Sequence, residues 1–216
     1  MADRFALWVY GVVDGEPPGP PPCVGVDGHH RVELVRADGL AALASRVPRP
    51  RFDAHVLCRA LQQPRTFEAL VRTHQDVLRE ALALGAVLPF GFATVFKSEA
   101  AVRALLRRDR ARLDGALARL RGMTEWSLKA YVKESRAGAL VEELHERLAA
   151  TTTGAARLPC AERRLALNAA YLVADADATV FATLVWTLAR EHDRDGIALE
   201  LSGPWPAFHF SEARAG

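Results

Sequence analysis

Residues 122–132, GMTEWSLKAYV, carry the clearest strand pattern of the chain and stand near its midpoint. Gly122 is a typical stop for the arginine-rich helix that the periodicity predicts before it. From Thr124 onward the side chains alternate, which predicts a strand with one buried face. The residues expected on that face are Trp126, Leu128, Ala130 and Val132. We therefore place the boundary between two halves of the chain at Gly122.

Helices and strands alternate in the second half. The periodicity predicts helices over 137–150 and 160–166, a strand over 167–174, a helix beginning after Asp175 or Asp177, and a strand over 197–202. The first half starts with FALWVYGVV (5–13), which is apolar at successive positions and predicts a strand buried on both faces. A loop rich in proline and glycine follows over 14–28. The remaining predicted elements are a strand over 30–36, a helical turn from Asp38 through Ala44, a helix over 66–84, a strand or strand pair over 86–96, and a helix over 99–121.

Strands separated by helices of this length indicate an α+β protein. We predict two domains, an N-terminal one over 1–121 that ends in a long arginine-rich helix and a C-terminal one over 122–216 with a GPWP-containing tail. Each is expected to be a sheet with helices packed on it, ferredoxin-like or a modified form of that fold.

Charge and composition narrow the function classes. The 28 basic and 26 acidic residues nearly cancel, and only three of the basic ones are lysines. The guanidinium group of arginine binds phosphate well. The arginine-rich helix over 99–121 therefore leaves a nucleic-acid-binding module as an alternative. Glu99, Asp109 and Asp114 interrupt that helix, and no aromatic residues stand between its arginines. We therefore expect a solvated or partner-facing helix and no nucleic-acid partner.

The expected compartment is the cytoplasm. Three widely spaced cysteines, Cys23, Cys58 and Cys160, do not form a disulfide framework, and the first residues lack a signal-peptide pattern. No apolar run approaches the roughly 18 residues that a membrane span needs. We expect no membrane partner.

Signatures of catalysis and cofactor binding are missing: there is no G-x-G-x-x-G, no G-x-x-x-x-G-K-[ST], no H-E-x-x-H and no G-x-S-x-G. His29 and His30 are predicted to form a solvated loop edge rather than a metal site. His74 lies on the apolar stripe of its helix. We therefore predict a partly buried histidine whose hydrogen bonds are satisfied, rather than a catalytic base. Cys58 and Cys160 are predicted to be core or near-core residues. We predict no catalytic, cofactor-binding or metal-binding residues; a small-molecule enzyme on a ferredoxin-like scaffold is the alternative, which would need a pocket around His74 or Cys58.

Aromatic residues are concentrated at the end of the chain, in GPWPAFHF (203–210). These rings either cap the core of the second domain or form a docking edge for another protein, because tryptophan and phenylalanine are enriched at interfaces. The four tryptophans are expected to carry a large share of the packing: Trp8, Trp126, Trp186 and Trp205.

Seven segments stand in this order along the chain: WVYGVV (8–13), DGLAALAS (38–45), THQDVL (73–78), LPFGFATVF (88–96), GMTEWSLKAYV (122–132), LNAAYLV (167–173) and SGPWPAFHF (202–210). Together they are similar to the gas vesicle protein F/L family (GvpL/GvpF). The chain departs from the family pattern at Gly91, where an arginine is usual, and at Ala93, where a glycine is usual.

The resemblance implies an accessory protein of gas vesicle formation that is not an enzyme. Gas vesicles are gas-filled shells built from a small, very hydrophobic structural protein. Family members are thought to bind that shell protein and to assist nucleation or assembly. Other accessory gas vesicle proteins are further expected partners, and the chain is expected to be associated with the vesicle. The residues predicted to bind partners are Trp205, Phe208 and Phe210, with Phe90 and Phe92 second.

Overall fold

In the computed structural model, which describes residues 4–15, 17–133 and 138–211, the chain divides between Arg121 and Gly122. We call the part before this point unit 1 and residues 122–210 unit 2. Each unit is an antiparallel sheet with helices packed against it. The predicted α+β class with two domains is confirmed.

The long apolar strand β1, Phe5–Asp14, lies inside the sheet of unit 1. The strand order is β2-β3-β1-β4, where β2 is Val32–Ala37, β3 is Leu40–Pro48 and β4 is Val87–Pro89, and the short β5, Val95–Phe96, also pairs with β1. Trp8 and Val9 are neighbours that point to opposite faces, yet both are fully inaccessible. Both faces of the sheet are therefore covered, as the apolar run predicts.

A tight turn at Asp38 and Gly39 joins β2 to β3. Ala37 pairs directly with Leu40, and the two turn residues have φ values of 51° and 80°. Positive φ at both central residues is the pattern of a type I′ hairpin, for which Asp-Gly is a preferred sequence. The predicted helical turn from Asp38 through Ala44 is therefore wrong, because the Asp-Gly pair forms a hairpin instead of capping a helix.

The described part of unit 1 also has five α-helices and a short 3-10 helix, Leu82–Leu84. The α-helices are α1 (Arg49–Phe52), α2 (Ala54–Leu61), α3 (Pro64–Ala81), α4 (Glu99–Arg108) and α5 (Arg110–Leu120). The single helix predicted over 99–121 is in fact α4 and α5. They separate at Asp109, whose backbone leaves the helical region at φ −101° and ψ 12° and whose carboxylate accepts hydrogen bonds from Arg108 and Arg112. Aspartate favours such local contacts over helix continuation.

Unit 2 has the strand order β7-β8-β6-β9. Its elements are β6 (Met123–Val132), α6 (Gly138–Ala149), β7 (Gly154–Arg157), β8 (Leu165–Ala174), α7 (Ala178–Glu191) and β9 (Ile197–Trp205). This β-α-β-β-α-β succession is that of the ferredoxin-like motif. Unit 1 has the equivalent spatial order of strands, but the proline-rich loop after β1 stands where unit 2 has α6.

The helix predicted over 160–166 is wrong, because residues 158–164 form no helix and Leu165 already belongs to β8. Pro159 holds this segment beside the strand, since its carbonyl accepts a hydrogen bond from the Asn168 side chain at 3.0 Å. The backbone N–H of Leu158 also donates to the Asn168 carbonyl. These contacts replace the i to i−4 bonds of a helix.

Two predictions about burial are also wrong. Trp186 is 61% exposed, whereas Trp8 is inaccessible and Trp126 and Trp205 are half-buried. Cys58 and Cys160 are exposed rather than core residues. Both errors come from assigning apolar types to the interior, although many apolar atoms of a folded protein remain at its surface.

Candidate partner-binding surfaces

His74 is held in the interior of unit 1 by two hydrogen bonds. Trp8 Nε1–H donates to His74 Nδ1 at 3.0 Å, and the ring also bonds to the backbone of Phe90. Because Nδ1 accepts, the neutral ring carries its proton on Nε2. Burial lowers the pKa of His74 to about 4, and the Phe90 hydrogen bond opposes this shift only partly. His74 is satisfied as predicted, but it is fully rather than partly buried.

Phe92 extends this aromatic group towards the surface. Its ring centroid lies 5.3 Å from that of Trp8, 5.6 Å from His74 and 5.7 Å from Phe67. Phe67 is 46% exposed and forms the outer edge, whereas Phe90 is buried. Phe90 and Phe92 are the two residues of unit 1 that were predicted to bind partners. Phe92 is half-accessible, whereas Phe90 contributes to the core.

The turn at Gly91 closes without a long side chain. Thr94 Oγ1 donates to the Gly91 carbonyl at 2.6 Å, and Ala93 adopts a φ of 65°. A non-glycine residue at positive φ is uncommon, and Ala93 adopts this conformation at the position where the family pattern has a glycine. The structure gives no account of what replaces the usual arginine at Gly91.

The C-terminal segment is fixed to unit 2 by a buried carboxylate. Glu125 is 1% exposed and accepts hydrogen bonds from His209 Nδ1 at 2.6 Å and from the His209 backbone N–H at 2.8 Å. Trp205 pairs with Glu125 across β6 and β9, so both side chains share one face of the sheet. The ring of Phe210 lies against Gly154, where a Cβ would approach it to 3.1 Å.

The rings of this segment pack on unit 2, which is one of the two roles that its sequence left open, whereas the docking role stays a prediction. Trp205, Phe208 and Phe210 are all half-buried, so each ring contributes to packing and leaves an accessible edge. They belong to unit 2, whereas Phe90 and Phe92 belong to unit 1. The five predicted residues thus divide into two separate groups.

We expect the bond between Glu125 and His209 to weaken at alkaline pH. The Glu125 hydrogen bond raises the pKa of His209, so its contribution to stability is complete below the unfolded value of about 6.5 and is lost as pH rises through the raised value. Glu125→Gln should lower the free energy of unfolding by about 1–2 kcal/mol at pH 6, with a smaller loss at pH 9. Denaturant unfolding at both pH values measures this, and an equal loss at both would contradict it.

The outer face of α7 was missed as a surface by the sequence analysis. Val180 is 69% and Trp186 61% exposed, and the helix carries no charged side chain from Ala178 to Ala189. Thr183 and Thr187 donate their hydroxyl protons to the carbonyls four residues earlier, so both hydroxyls are satisfied within the helix. Arg190 lies over the Trp186 ring at 4.8 Å.

The helical periodicity of α7 could have predicted the exposure of Trp186. The buried residues Phe181, Val185 and Leu188 form one face of the helix, and Trp186 does not lie on that face.

A shallow depression beside Trp186 completes this face. It is lined by Trp126, Ala178, Thr179, Ala182, Thr183 and Trp186. The indole N–H of Trp126 is buried and has no hydrogen-bond partner within the part of the chain that the structure describes. We call Thr179, Val180, Ala182, Thr183 and Trp186 the α7 face; none of its members is charged, and the Thr183 hydroxyl is satisfied within the helix.

Three further histidine rings, those of His30, His145 and His192, have polar partners within their own unit. Asp27 accepts from the backbone N–H groups of His29 and His30 and contacts His30 Nδ1 at 2.6 Å, which closes the loop before β2. His145 contacts the Tyr171 hydroxyl at 2.7 Å, and His192 contacts Asp195 at 2.9 Å. Among residues 4–15, 17–133 and 138–211, no three histidine, cysteine or acidic side chains are grouped as metal ligands would be.

Most of the arginines on α4 and α5 have acidic partners. Arg103 pairs with Glu99, Arg110 with Asp114, and Arg108 and Arg112 share Asp109. These pairs spread both signs of charge over the two helices instead of forming the continuous basic stripe typical of nucleic-acid binding. No helix in the described ranges combines the length and the apolar character that crossing a bilayer requires.

The sequence matches the family model described as gas vesicle synthesis protein GvpL/GvpF over residues 6–138 and 132–212. The two matches together cover nearly the whole chain. The chain belongs to the GvpL/GvpF family. It is 25% identical to gas vesicle protein F2 of Halobacterium salinarum over 217 residues, which covers 97% of this chain and 94% of the relative. It is 27% identical to gas vesicle protein L of a Streptomyces species over 222 residues, 82% of each chain.

Two solved GvpF structures have the same fold. The crystal structure of GvpF from Anabaena superposes with a TM-score of 0.79 at 18% identity and covers 98% of each chain. GvpF from Microcystis aeruginosa gives a TM-score of 0.78 at 17% identity and covers 96% of this chain and 99% of its own. Membership of GvpL/GvpF, a family of gas vesicle synthesis proteins and not a known enzyme family, gives the chain an accessory role in gas vesicle formation.

Proposed function

We propose that this chain binds the hydrophobic structural shell protein of gas vesicles through the α7 face and assists nucleation or assembly of the shell. The observation that carries the proposal is the exposure of Trp186 and Val180 on a helix that has no charged side chain from Ala178 to Ala189. In a chain of which a quarter of the residues are charged, an uncharged helix surface of this kind is typical of an interface.

The physical task of such a factor is to cover apolar surface before the shell forms. A very hydrophobic subunit exposes large apolar patches, and these patches aggregate unless another surface buries them. The α7 face offers a broad aromatic ring and small side chains that permit close approach, and the charge nearest to it is Arg190, which lies over the Trp186 ring. Other accessory gas vesicle proteins are further proposed partners, and we place the proposed activity at the vesicle in the cytoplasm.

The C-terminal aromatic group is the second proposed contact for the shell protein. Trp205, Phe208 and Phe210 keep accessible edges on the opposite face of the unit 2 sheet from α7. In unit 1, Phe92 could contribute together with Phe67, whereas Phe90 would have to leave the core first. These residues pack against their own unit, so we rank them below Trp186.

Replacing Trp186 by alanine should weaken capture of the shell protein about tenfold or more, as removal of an interface tryptophan commonly does. The measurement is the apparent affinity of the purified chain for shell protein held in detergent. Val24→Ala, an exposed apolar residue of unit 1, is the matched control and should bind as the wild type does. Full binding by Trp186→Ala with loss in Trp205→Ala would move the site to the C-terminal group. Full binding by both variants would overturn the proposal.

A further inference from the structure

The outer edge of β9 is the longest strand edge without backbone partners in the part of the chain that the structure describes. β9, Ile197–Trp205, is the last strand of the unit 2 sheet, whereas the opposite edge strand β7 has four residues and β4 in unit 1 has three. At the β2 edge, the Val32 N–H donates to the Cys23 carbonyl at 3.1 Å. Arg103 Nε covers the same edge by donating to the Arg36 carbonyl at 3.3 Å. An open edge is a site where a further strand can add.

The pairing of β9 with β6 shows which backbone groups of β9 point outward. The Lys133 N–H donates to the Gly196 carbonyl at 3.1 Å, and hydrogen-bonded pairs recur from there at every second residue of the continuous register. The backbone groups of Leu199 and Leu201 therefore point away from β6. Among the described residues, neither N–H and neither carbonyl has a hydrogen-bond partner. Two donors and two acceptors are thus available to a chain that lies beside β9.

This edge is accessible and lacks the usual protection. Leu199 and Leu201 are half-exposed, and Glu200 between them is exposed. Edge strands are commonly protected by lysine, proline or a bulge. Residues 197–202 contain neither lysine nor proline, and their pairing with β6 has no bulge. The single charge, that of Glu200, lies on the opposite face of the sheet from the two leucines, because side chains alternate along a strand.

Trp186 lies on the flank of α7 that faces this edge. α6 packs on β8 and α7 packs on β9, so the flank of α7 away from α6 is the one next to the edge. Arg147 of α6 pairs with Glu191 at 3.9 Å, which places the Glu191 flank beside α6. Trp186 is five residues from Glu191, which is about 140° around the helix. Trp186 also shares its depression with Trp126 of β6, the strand beside β9. The α7 face and the β9 edge therefore adjoin.

From this geometry we propose that the β9 edge takes up an extended segment of the shell protein as an additional strand. The inference rests on the proposed function, because it states how a partner of the α7 face is held. Unpaired backbone groups at every second residue match an extended chain and not a helix, which uses its own. Side chains of the segment opposite Leu199 and Leu201 lie on the α7 side, beside Trp186, and are expected to be apolar. The residue opposite Glu200 is expected to be basic or uncharged. This is recognition by β-augmentation.

A second copy of the chain fits this edge less well. An antiparallel pair of β9 strands that joins the two leucines places the two Glu200 carboxylates directly opposite each other, which is destabilising. Shifting the pairing in one direction requires the Ile197 N–H, which already donates to the His192 carbonyl at 3.2 Å. Shifting it in the other direction requires Gly203, whose φ of 145° departs from that of a strand.

Amide hydrogen exchange at Leu199 and Leu201 tests the proposal. It is measured by NMR in the free chain and in its complex with shell protein held in detergent. We expect both amides to exchange quickly in the free chain and about tenfold or more slowly in the complex, because strand pairing gives each N–H an acceptor. Ala155 is the internal control, since its N–H points outward from β7 at the other edge of the same sheet and should not change.

A backbone ester provides the matching variant. Replacing the amide of Leu201 by an ester removes one outward donor and keeps the side chain. It should weaken capture of the shell protein about threefold to tenfold, the effect of one lost hydrogen bond. The same change at Ala155 should leave capture unaltered, and an equal loss from both esters would overturn the proposal.

The outcomes separate this proposal from the contact made by the α7 face. Unchanged exchange at both leucines in a complex that still depends on Trp186 would overturn strand addition and leave the α7 contact standing. Full protection of both leucines in Trp186→Ala would contradict the α7 contact and leave strand addition standing. Failure to capture shell protein would overturn both. Protection that rises with the concentration of the chain alone would assign the edge to a second copy and would overturn strand addition by the shell protein.

Discussion

Replacing Trp8 by alanine is expected to lower the free energy of unfolding of unit 1 by about 3–5 kcal/mol, the range found when a buried tryptophan is truncated. Trp8 is fully inaccessible, and its ring contacts those of Phe52, His74 and Phe92. The substitution also removes the N–H that donates to His74 Nδ1 and leaves that nitrogen buried without its partner. Denaturant unfolding followed by far-ultraviolet circular dichroism measures the loss.

The matched control is Trp186→Ala, which removes the same side chain from an exposed position. Its effect on the free energy of unfolding should stay within about 0.5 kcal/mol, as is usual for surface substitutions. A loss below about 1 kcal/mol for Trp8→Ala would show that the aromatic group around His74 does not hold unit 1 together.

Acid should destabilise unit 1 through His74. Burial lowers the pKa of His74 from 6.5 to about 4 in the folded state, so the unfolded chain binds the proton more tightly. The stability that the neutral ring contributes is therefore fully present above pH 6.5 and is lost as pH falls towards 4, by about 3 kcal/mol in total. Unfolding of unit 1 should become easier over this interval.

The comparison that isolates His74 is His74→Gln, whose amide oxygen can still accept from Trp8 but does not titrate. We expect the wild type to lose about 3 kcal/mol more than the variant between pH 7 and pH 4. Asp14 and Asp109 also have lowered pKa values, through Arg121 and Arg108 respectively, but they are present in both proteins and cancel. Identical pH profiles would mean that His74 titrates as an exposed histidine does.

Long periodic segments of this sequence predict their elements well. The apolar run 5–13 is β1, the alternation after Gly122 is β6, and the stripe that begins near Phe67 is α3. These patterns are strong because each element buries a continuous face, and the spacing of apolar residues reflects which side chains are buried. The resemblance to the GvpL/GvpF family rests on such segments, and the family match confirms it.

Short elements were missed where local chemistry decides the structure. The Asp38–Gly39 pair makes a hairpin, α2 begins directly after the Asp53 cap, and β7 has only four residues, Gly-Ala-Ala-Arg. None of them is long enough to show a period, so turn and cap preferences decide the outcome.

Candidate surfaces were harder to predict than the fold. Sequence assigned Trp186 to packing and Cys58 to the core, yet both are exposed. The hydrogen bond between the buried Glu125 and the exposed His209 joins residues 84 positions apart, and no local pattern indicates it. The exposure of a side chain and its pairing with a distant residue depend on how helices and strands pack together. Local patterns in a single sequence do not show that packing.

Photo-cross-linking from position 186 tests the proposed shell contact most directly. A benzophenone side chain placed there would react with whatever covers the α7 face during shell formation. We predict a covalent adduct with the gas vesicle shell protein from position 186, and none from a control probe at the exposed position of Val24. An adduct that forms from position 205 but not from position 186, or no adduct from either, would contradict the proposal.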